Sequence, residues 1–166
     1  MQTRRAVNRL WSFCVNTLGG SSLLHGHVRE RFLRLGGIQT NGTSVRTGVF
    51  FASDQITFGK GGLVERGVQF ENRESITVGS NVYIGPDCYI GTSSHTIGAA
   101  HHRAGTYQGA SVSIHDGCWL GARVMVLPGV VVARGCVIAA GSVVTRDTTE
   151  NGLYAGIPAI RKRDLT

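Results

Sequence analysis

Prolines, acidic side chains and metal-spaced cysteines are all scarce in this chain of 166 residues. Three prolines beside 24 glycines exclude both collagen and a proline-rich linker. The four cysteines, Cys14, Cys88, Cys118 and Cys136, form no CxxC pair, so no zinc spacing is present. A chain of this length buries a core without disulfides, and none is expected. No apolar run approaches the roughly 20 residues of a membrane span. Asn8, Arg9 and Ser12 interrupt the N-terminal apolar stretch, so no signal-peptide core is expected there. Disorder is excluded by a hydrophobic content of 42%. A reduced, soluble, cytoplasmic protein of one domain is the expectation.

The formal charge of +7 is concentrated at the two ends. Residues 1–34 hold Arg4, Arg5, Arg9, Arg29, Arg31 and Arg34 against Glu30, a net +5. Residues 161–166 hold Arg161, Lys162 and Arg163 against Asp164, a net +2. The 126 residues between are neutral, which argues against a nucleic-acid surface along the body of the chain. A basic N-terminus fits either peripheral attachment to the inner face of a membrane or solvated arginines on capping helices.

What is abundant is a six-residue repeat. Ile114, Leu120, Val126, Val132, Ile138 and Val144 recur at every sixth position. Small or β-branched residues stand two places earlier, among them Val112, Cys118, Val124, Val130 and Cys136. Turn formers such as Gly117, Gly129, Gly135 and Gly141 stand three places later. The same phase runs through Val78, Ile84 and Ile90, and an earlier block through Phe58, Val64 and Phe70 is offset by two residues. Positions two apart in an extended segment face the same way, and the residues after them must turn sharply. One hexad is therefore a short strand plus a corner. Three hexads close a triangular coil, and stacked coils form a parallel β-helix. Cys88, Cys118 and Cys136 fall in the small inward column, so they read as core residues, not nucleophiles.

Residues 92–111 break the repeat yet preserve its phase, since Ile90 and Ile114 are 24 residues apart. A loop therefore leaves the coil and returns in register. It carries His95, His101, His102 and Arg103. Ahead of the repeat, Val7, Leu10, Trp11, Cys14 and Leu18 share one helical face, and Leu24, Val28, Phe32 and Leu35 share another. The expected organisation is a helical cap over 1–35, a β-helix over 36–148 with a protruding loop at 92–111, and a loop with a basic tail over 149–166.

The stretches IGPDCYIGTSSH (84–95), SIHDGCWLGARVMVLPGVVV (113–132), AAGSVVTRD (139–147) and AGIPAIRKR (155–163) carry a resemblance. They resemble the hexapeptide-repeat acyltransferases, which fold as left-handed parallel β-helices and assemble as homotrimers. The Trp119–Gly121 and Pro128–Gly129 elements are similar to the sugar O-acetyltransferase branch, including maltose and galactoside acetyltransferases. The opening RERFLRLGG (29–37) is similar to members acting in capsule and exopolysaccharide synthesis.

The resemblance implies acetyl-CoA as acyl donor, no metal, and a sugar or nucleotide-sugar acceptor in surface polysaccharide biosynthesis. It places the catalytic base at His95, eleven residues after Ile84. Imidazole suits that task, since near pH 7 its neutral form can take a hydroxyl proton. Glu65 stands where the family often has asparagine, and is expected to orient His95 or hold the acceptor. Glu71 and Asn72 are further candidates for that support. For CoA, the resemblance implies a slot along the coils that the small residues Gly121, Ala122, Ala139, Ala140 and Gly141 leave open, with Trp119 lining the acceptor and thioester region. In the Thr145-Arg146-Asp147 element, counted with the CoA contacts, Arg146 is the implied phosphate contact. The tail Arg161, Lys162 and Arg163 faces the 3′-phosphate end, with Arg161 and Arg163 sharing the role because arginine offers paired N–H donors.

Two other readings remain at this stage: N-acetylation of an amino sugar or antibiotic, and a non-catalytic β-helix binding module. A metal-dependent β-helix enzyme of the γ-carbonic anhydrase type needs two histidines five residues apart, and the loop histidines at 95, 101 and 102, with His115 beyond them, supply no such pair.

Overall fold

The computed structural model describes residues 9–166. The hexads form a parallel β-solenoid with three faces, each a sheet of short strands. Sheet I stacks β3 (Ile56–Phe58), β6 (Ile76–Val78), β11 (Val112–Ile114) and β14 (Val131–Val132). Sheet II stacks β1 (Ser44–Val45), β4 (Leu63–Val64), β7 (Tyr83–Ile84), β12 (Trp119–Leu120), β15 (Val137–Ile138) and β17 (Gly152–Ala155). Its far edge is closed by the antiparallel β18 (Ile160–Asp164). Sheet III stacks β2 (Phe50–Phe51), β5 (Gln69–Glu71), β8 (Tyr89–Gly91), β13 (Met125–Val126) and β16 (Val143–Val144). The chain visits the faces in the order I, II, III, so each coil has three corners.

Register follows the repeat residue for residue. Ile84 pairs with Leu120 and Leu120 with Ile138 on sheet II; Ile90 pairs with Val126 and Val126 with Val144 on sheet III. These aliphatic columns are buried together with Cys88, Cys118 and Cys136, as the spacing predicts. At the N-terminal end the column widens to aromatics. Phe51 and Phe70 stack at 5.3 Å between ring centroids, and Phe58 meets Phe70 edge-on at 5.7 Å.

The corners show why glycine is frequent. Arg123 and Asp87 adopt positive φ (57° and 58°) at positions where glycines such as Gly117 and Gly135 stand in other coils. A second class of glycine follows the aliphatic residue. A Cβ on Gly85 would lie 2.8 Å from the backbone nitrogen of Ala122 in the next coil, so a side chain there would push two coils apart.

The offset of two residues in the first block is accounted for by the corner between β5 and β6. Asn72 lies there, fully buried, and takes over backbone pairing with the preceding coil. Its carbonyl oxygen accepts from the N–H groups of Ala52 (2.9 Å) and Ser53 (3.0 Å), and its amide donates to the Ser53 carbonyl (2.8 Å). Asn72 is therefore part of the coil stacking and has no polar atom left for a substrate.

The N-terminal helices differ in detail from the sequence expectation. Helix α1 (Arg9–Ser12) runs into a π-helical segment (Phe13–Leu18), and α2 spans Gly26–Leu35. The wider turn of a π-helix rotates the chain relative to a 3.6-residue period. Val15 is buried where Cys14 was expected to point inward, while Leu10 and Leu18 are exposed. In α2 the buried positions are Arg29 and Leu33, and Val28 and Leu35 face solvent. The inward Arg29 guanidinium donates to the carbonyls of Gly19 (3.0 Å), Ser21 (2.8 Å) and Leu24 (3.1 Å). It ties the two helical segments together and is removed from the basic surface expected of the N-terminus. Burial, and then the nearby Arg46, lowers its pKa below the ordinary arginine value. Arg4, Arg5 and Val7 lie outside the described residues.

Both open ends of the solenoid are covered. Asn16 mimics a strand, accepting from Phe51 N–H (2.9 Å) and donating to Phe51 C=O (3.0 Å) at the exposed edge of sheet III. At the other end β18 covers β17. Among the described residues no helix is long and apolar enough to cross a membrane.

Candidate functional site

Residues 92–111 form an antiparallel hairpin, β9 (Ser93–Ile97) and β10 (Ala104–Gly109). It leaves the corner between sheets III and I. His95 lies on β9, directly opposite Tyr107. Between Ala104 and Tyr107 the register slips by one residue, a β-bulge. Bulges re-aim backbone and side-chain groups, and this one turns the Gly105 carbonyl toward His95. The His95 Nδ1 atom lies 2.9 Å from that oxygen. A carbonyl can only accept, so Nδ1 carries the hydrogen, and the neutral ring keeps its lone pair on Nε2. The imidazole is thus fixed in the tautomer that a base with an outward Nε2 requires. The His95 side chain is exposed, with the Tyr107 ring edge-on at 6.0 Å.

Within one chain the partner of His95 Nδ1 is the Gly105 carbonyl. Glu65 lies at the corner after sheet II, where Oε1 accepts the Tyr83 hydroxyl at 3.3 Å. Burial, followed by the Glu65 charge, raises the Tyr83 pKa. Glu71 forms an ion pair with Arg73 (3.1 Å) near the hairpin root, and its other carboxylate oxygen, Oε2, is buried without a hydrogen-bond partner.

On the outer face of sheet II lies an apolar groove of about 470 Å³. Its walls include Trp119, Gly121, Ala122, Ala139 and Ala140, while Gly141, also expected along the slot, is not among them. Tyr83, Val137 and Leu153 complete its length, stacked above and below Trp119 in the sheet register. Trp119 is 54% exposed, a large apolar surface left uncovered within the chain. The floor is close-packed: a Cβ on Gly121 would lie 2.6 Å from the backbone nitrogen of Ala140. A slender ligand chain can therefore approach the backbone closely.

The residues expected at the CoA phosphates are separated by the structure. Arg163 pairs with Leu153 across β17 and β18, so its side chain leaves the same face as Leu153, at the end of the groove. Among the described residues it has no ion-pair partner. Arg161 has a different role. Its Nε and Nη2 contact Asp164 at 2.8 and 2.7 Å. Nη1 donates to the Thr149 carbonyl (2.9 Å) and the Tyr154 hydroxyl (3.2 Å), and Nη2 to the Glu150 carbonyl (3.0 Å). All its donors are engaged in closing the last coil, so Arg161 is a clamp and not a free phosphate ligand. Thr145 and Arg146 follow β16 at the corner between sheets III and I, on the hairpin's side of the solenoid and away from the groove.

Sequence reasoning missed Gly105 and Tyr107 on the hairpin and Tyr83, Val137 and Leu153 in the groove. Tyr83 and Val137 were legible in principle, since each is the outward residue beside an inward one in its hexad; Leu153 was not, because β17 lies beyond the repeat, in the stretch expected to be a loop. Gly105 was not, because a bulge has no fixed spacing signal. No group of three or more histidine, cysteine or acidic residues among the described residues could hold a metal ion.

Comparison with known proteins agrees with this architecture. Residues 111–146 match the family described as bacterial transferase hexapeptide (six repeats). A galactoside O-acetyltransferase from Lactococcus lactis is 34% identical over 115 residues, covering 69% of this chain and 56% of that protein. A hexapeptide-repeat acetyltransferase from Vibrio cholerae has the same fold, with a TM-score of 0.85 and 26% identity over 95% of this chain and 90% of that one. Its structure has also been solved with acetyl-CoA bound. A maltose O-acetyltransferase from Clostridium difficile gives a TM-score of 0.82 and 27% identity over 97% of this chain and 91% of that one. The chain spans about half the length of the curated relatives it matches. In repeat, sequence and fold it is similar to hexapeptide-repeat acetyltransferases, including the galactoside and maltose O-acetyltransferases.

Proposed function

From that likeness and the site's geometry, we propose that this hexapeptide-repeat β-helix is a CoA-dependent O-acetyltransferase acting on a sugar hydroxyl. The observation that carries this reading is the His95 tautomer, Nδ1 donating to Gly105 with Nε2 left basic. In the reaction, Nε2 takes the proton of the acceptor hydroxyl as its oxygen attacks the thioester carbonyl. The tetrahedral intermediate then collapses, the C–S bond breaks, and the imidazolium returns a proton to the departing thiolate. The groove on sheet II would take the pantetheine arm, with Arg163 reaching the phosphates at its end.

Within one chain the hairpin leaves the corner opposite sheet II. The His95 of one copy would therefore serve the groove of a neighbour, and three copies around an axis give every groove a base. This arrangement supports a homotrimer with its sites between subunits, and it brings Thr145 and Arg146 toward a neighbour's CoA. Glu65, beside the aromatic Tyr83, would hold an acceptor hydroxyl. A sugar or nucleotide sugar bound for a surface polysaccharide fits these contacts.

The reading is tested by thiol release from acetyl-CoA across sugars, nucleotide sugars and amino sugars. A sugar hydroxyl acceptor should accelerate release; no release with any acceptor would favour a binding module. Arg163→Ala should raise KM for acetyl-CoA about tenfold with kcat little changed, the loss of one charge-assisted contact. Arg161→Ala should instead lower the melting temperature and leave the KM closer to that of the parent. Equal effects of the two substitutions on KM would remove the distinction drawn here.

A further inference from the structure

The corner between β5 and β6 is longer than the repeat requires, with Phe70 and Val78 eight residues apart instead of six. The extra length does more than accommodate Asn72. It carries Glu74 outward to the root of the hairpin, where the Tyr107 hydroxyl donates to Glu74 Oε1 at 3.1 Å. Tyr107 is the residue directly opposite His95 and touches its imidazole edge-on. The backbone beneath leaves room for this link: a Cβ on Gly109 would lie 2.6 Å from the Tyr107 hydroxyl and 2.7 Å from Glu74 Oε1. Thr92 joins the same corner to the first hairpin residue, its hydroxyl donating to the Glu71 carbonyl (2.7 Å) and accepting from the Glu74 N–H (3.1 Å).

We propose that Glu74 and Tyr107 are positioning residues that hold the hairpin, and with it the His95 imidazole, at a fixed angle to the solenoid. An exposed two-stranded hairpin is only marginally rigid on its own. Its internal bonds fix His95 relative to Gly105 but not relative to the coils. The Tyr107–Glu74 bond, made by the residue paired with His95, supplies that second constraint. The role rests on His95 being the base. It also gives the two-residue offset in the repeat a function, which no stacking argument requires of Glu74.

The test uses the full-length protein with two readouts. The first is the set of backbone N–H residual dipolar couplings of residues 93–109 read against those of the coils, which report the angle of the hairpin to the solenoid. Tyr107→Phe and Glu74→Ala should each average the hairpin couplings while those of the coils stay unchanged, and Glu74→Gln, whose amide oxygen still accepts, should restore the parent couplings. The second readout is thiol release from acetyl-CoA with methyl β-galactoside. Tyr107→Phe and Glu74→Ala should each lower kcat by about tenfold, the scale of a modest misplacement of a reacting group. The KM for acetyl-CoA should stay within about twofold, and the double variant should be no worse than either single one. A purely structural role would lower thermal stability without moving the hairpin couplings. Hairpin couplings of Tyr107→Phe and Glu74→Ala identical to the parent would overturn the proposal. Should His95→Ala itself retain full activity, the base assignment fails, whatever the couplings show. Should His95→Ala lose activity while both positioning variants keep it, only the clamp fails.

Discussion

His95→Ala is expected to lower kcat/KM for acetyl transfer by about a hundred- to ten-thousand-fold, the usual contribution of a positioned general base. The loss should fall on kcat, since the groove on sheet II contains no hairpin residue and acetyl-CoA should bind as before. The residual rate should be insensitive to further change at Gly105, because the carbonyl acts only through the imidazole it orients. In the parent background Gly105 is not replaceable without effect. A Cβ there would meet the Thr96 hydroxyl at 2.6 Å and the Thr96 carbonyl at 2.9 Å, which forces the bulge to shift. Steady-state thiol-release kinetics with saturating acetyl-CoA separate these outcomes. Retention of full activity by His95→Ala would remove the base from the mechanism.

The second large effect concerns the scaffold. Phe70→Ala should destabilise the protein by about 3–5 kcal/mol, the range for truncating a buried aromatic side chain. Phe70 is fully buried, stacks on Phe51 and meets Phe58 edge-on, so two rings lose a shared partner at once. Coils contact mainly their neighbours, so the damage should propagate to the hairpin root and to Asn72, which bonds the coil of Phe51. A drop in melting temperature on the order of 10 °C is expected for a chain of this size. Leu35→Ala is the control. Leu35 is 79% exposed on α2, and its truncation should change stability by no more than about 0.5 kcal/mol. Comparable destabilisation by both variants would mean that α2 packs through the face the sequence favours.

Most of the solenoid was legible because its constraint is local and periodic. Ile84, Leu120 and Ile138 stand at repeat positions, and a repeat position fixes both the inward direction and the neighbour in the next coil. The groove residues were named from the family resemblance; the stacking of their hexads on one face is what brings them together. Readings failed where the period changes. The π-helical turn at Phe13–Leu18 moved the buried position from Cys14 to Val15. The hairpin bulge gave His95 a backbone partner that no residue identity announces. Arg161 shows a third kind of failure. Its charge and position read as a ligand site, yet the last coil leaves the carbonyls of Thr149 and Glu150 to be satisfied, and Arg161 satisfies them.

The separation of base and groove within one chain gives the account its strongest geometric commitment. His95 belongs to the corner between sheets III and I, and the groove to sheet II on the far side. A crystal structure of the protein with bound CoA tests this most directly. The account predicts the pantetheine arm along Trp119, Gly121 and Ala140, the phosphates beside Arg163, and the sulfur facing the Nε2 of a neighbouring copy's His95. CoA bound away from sheet II, or a sulfur with no His95 from any copy near it, would contradict it.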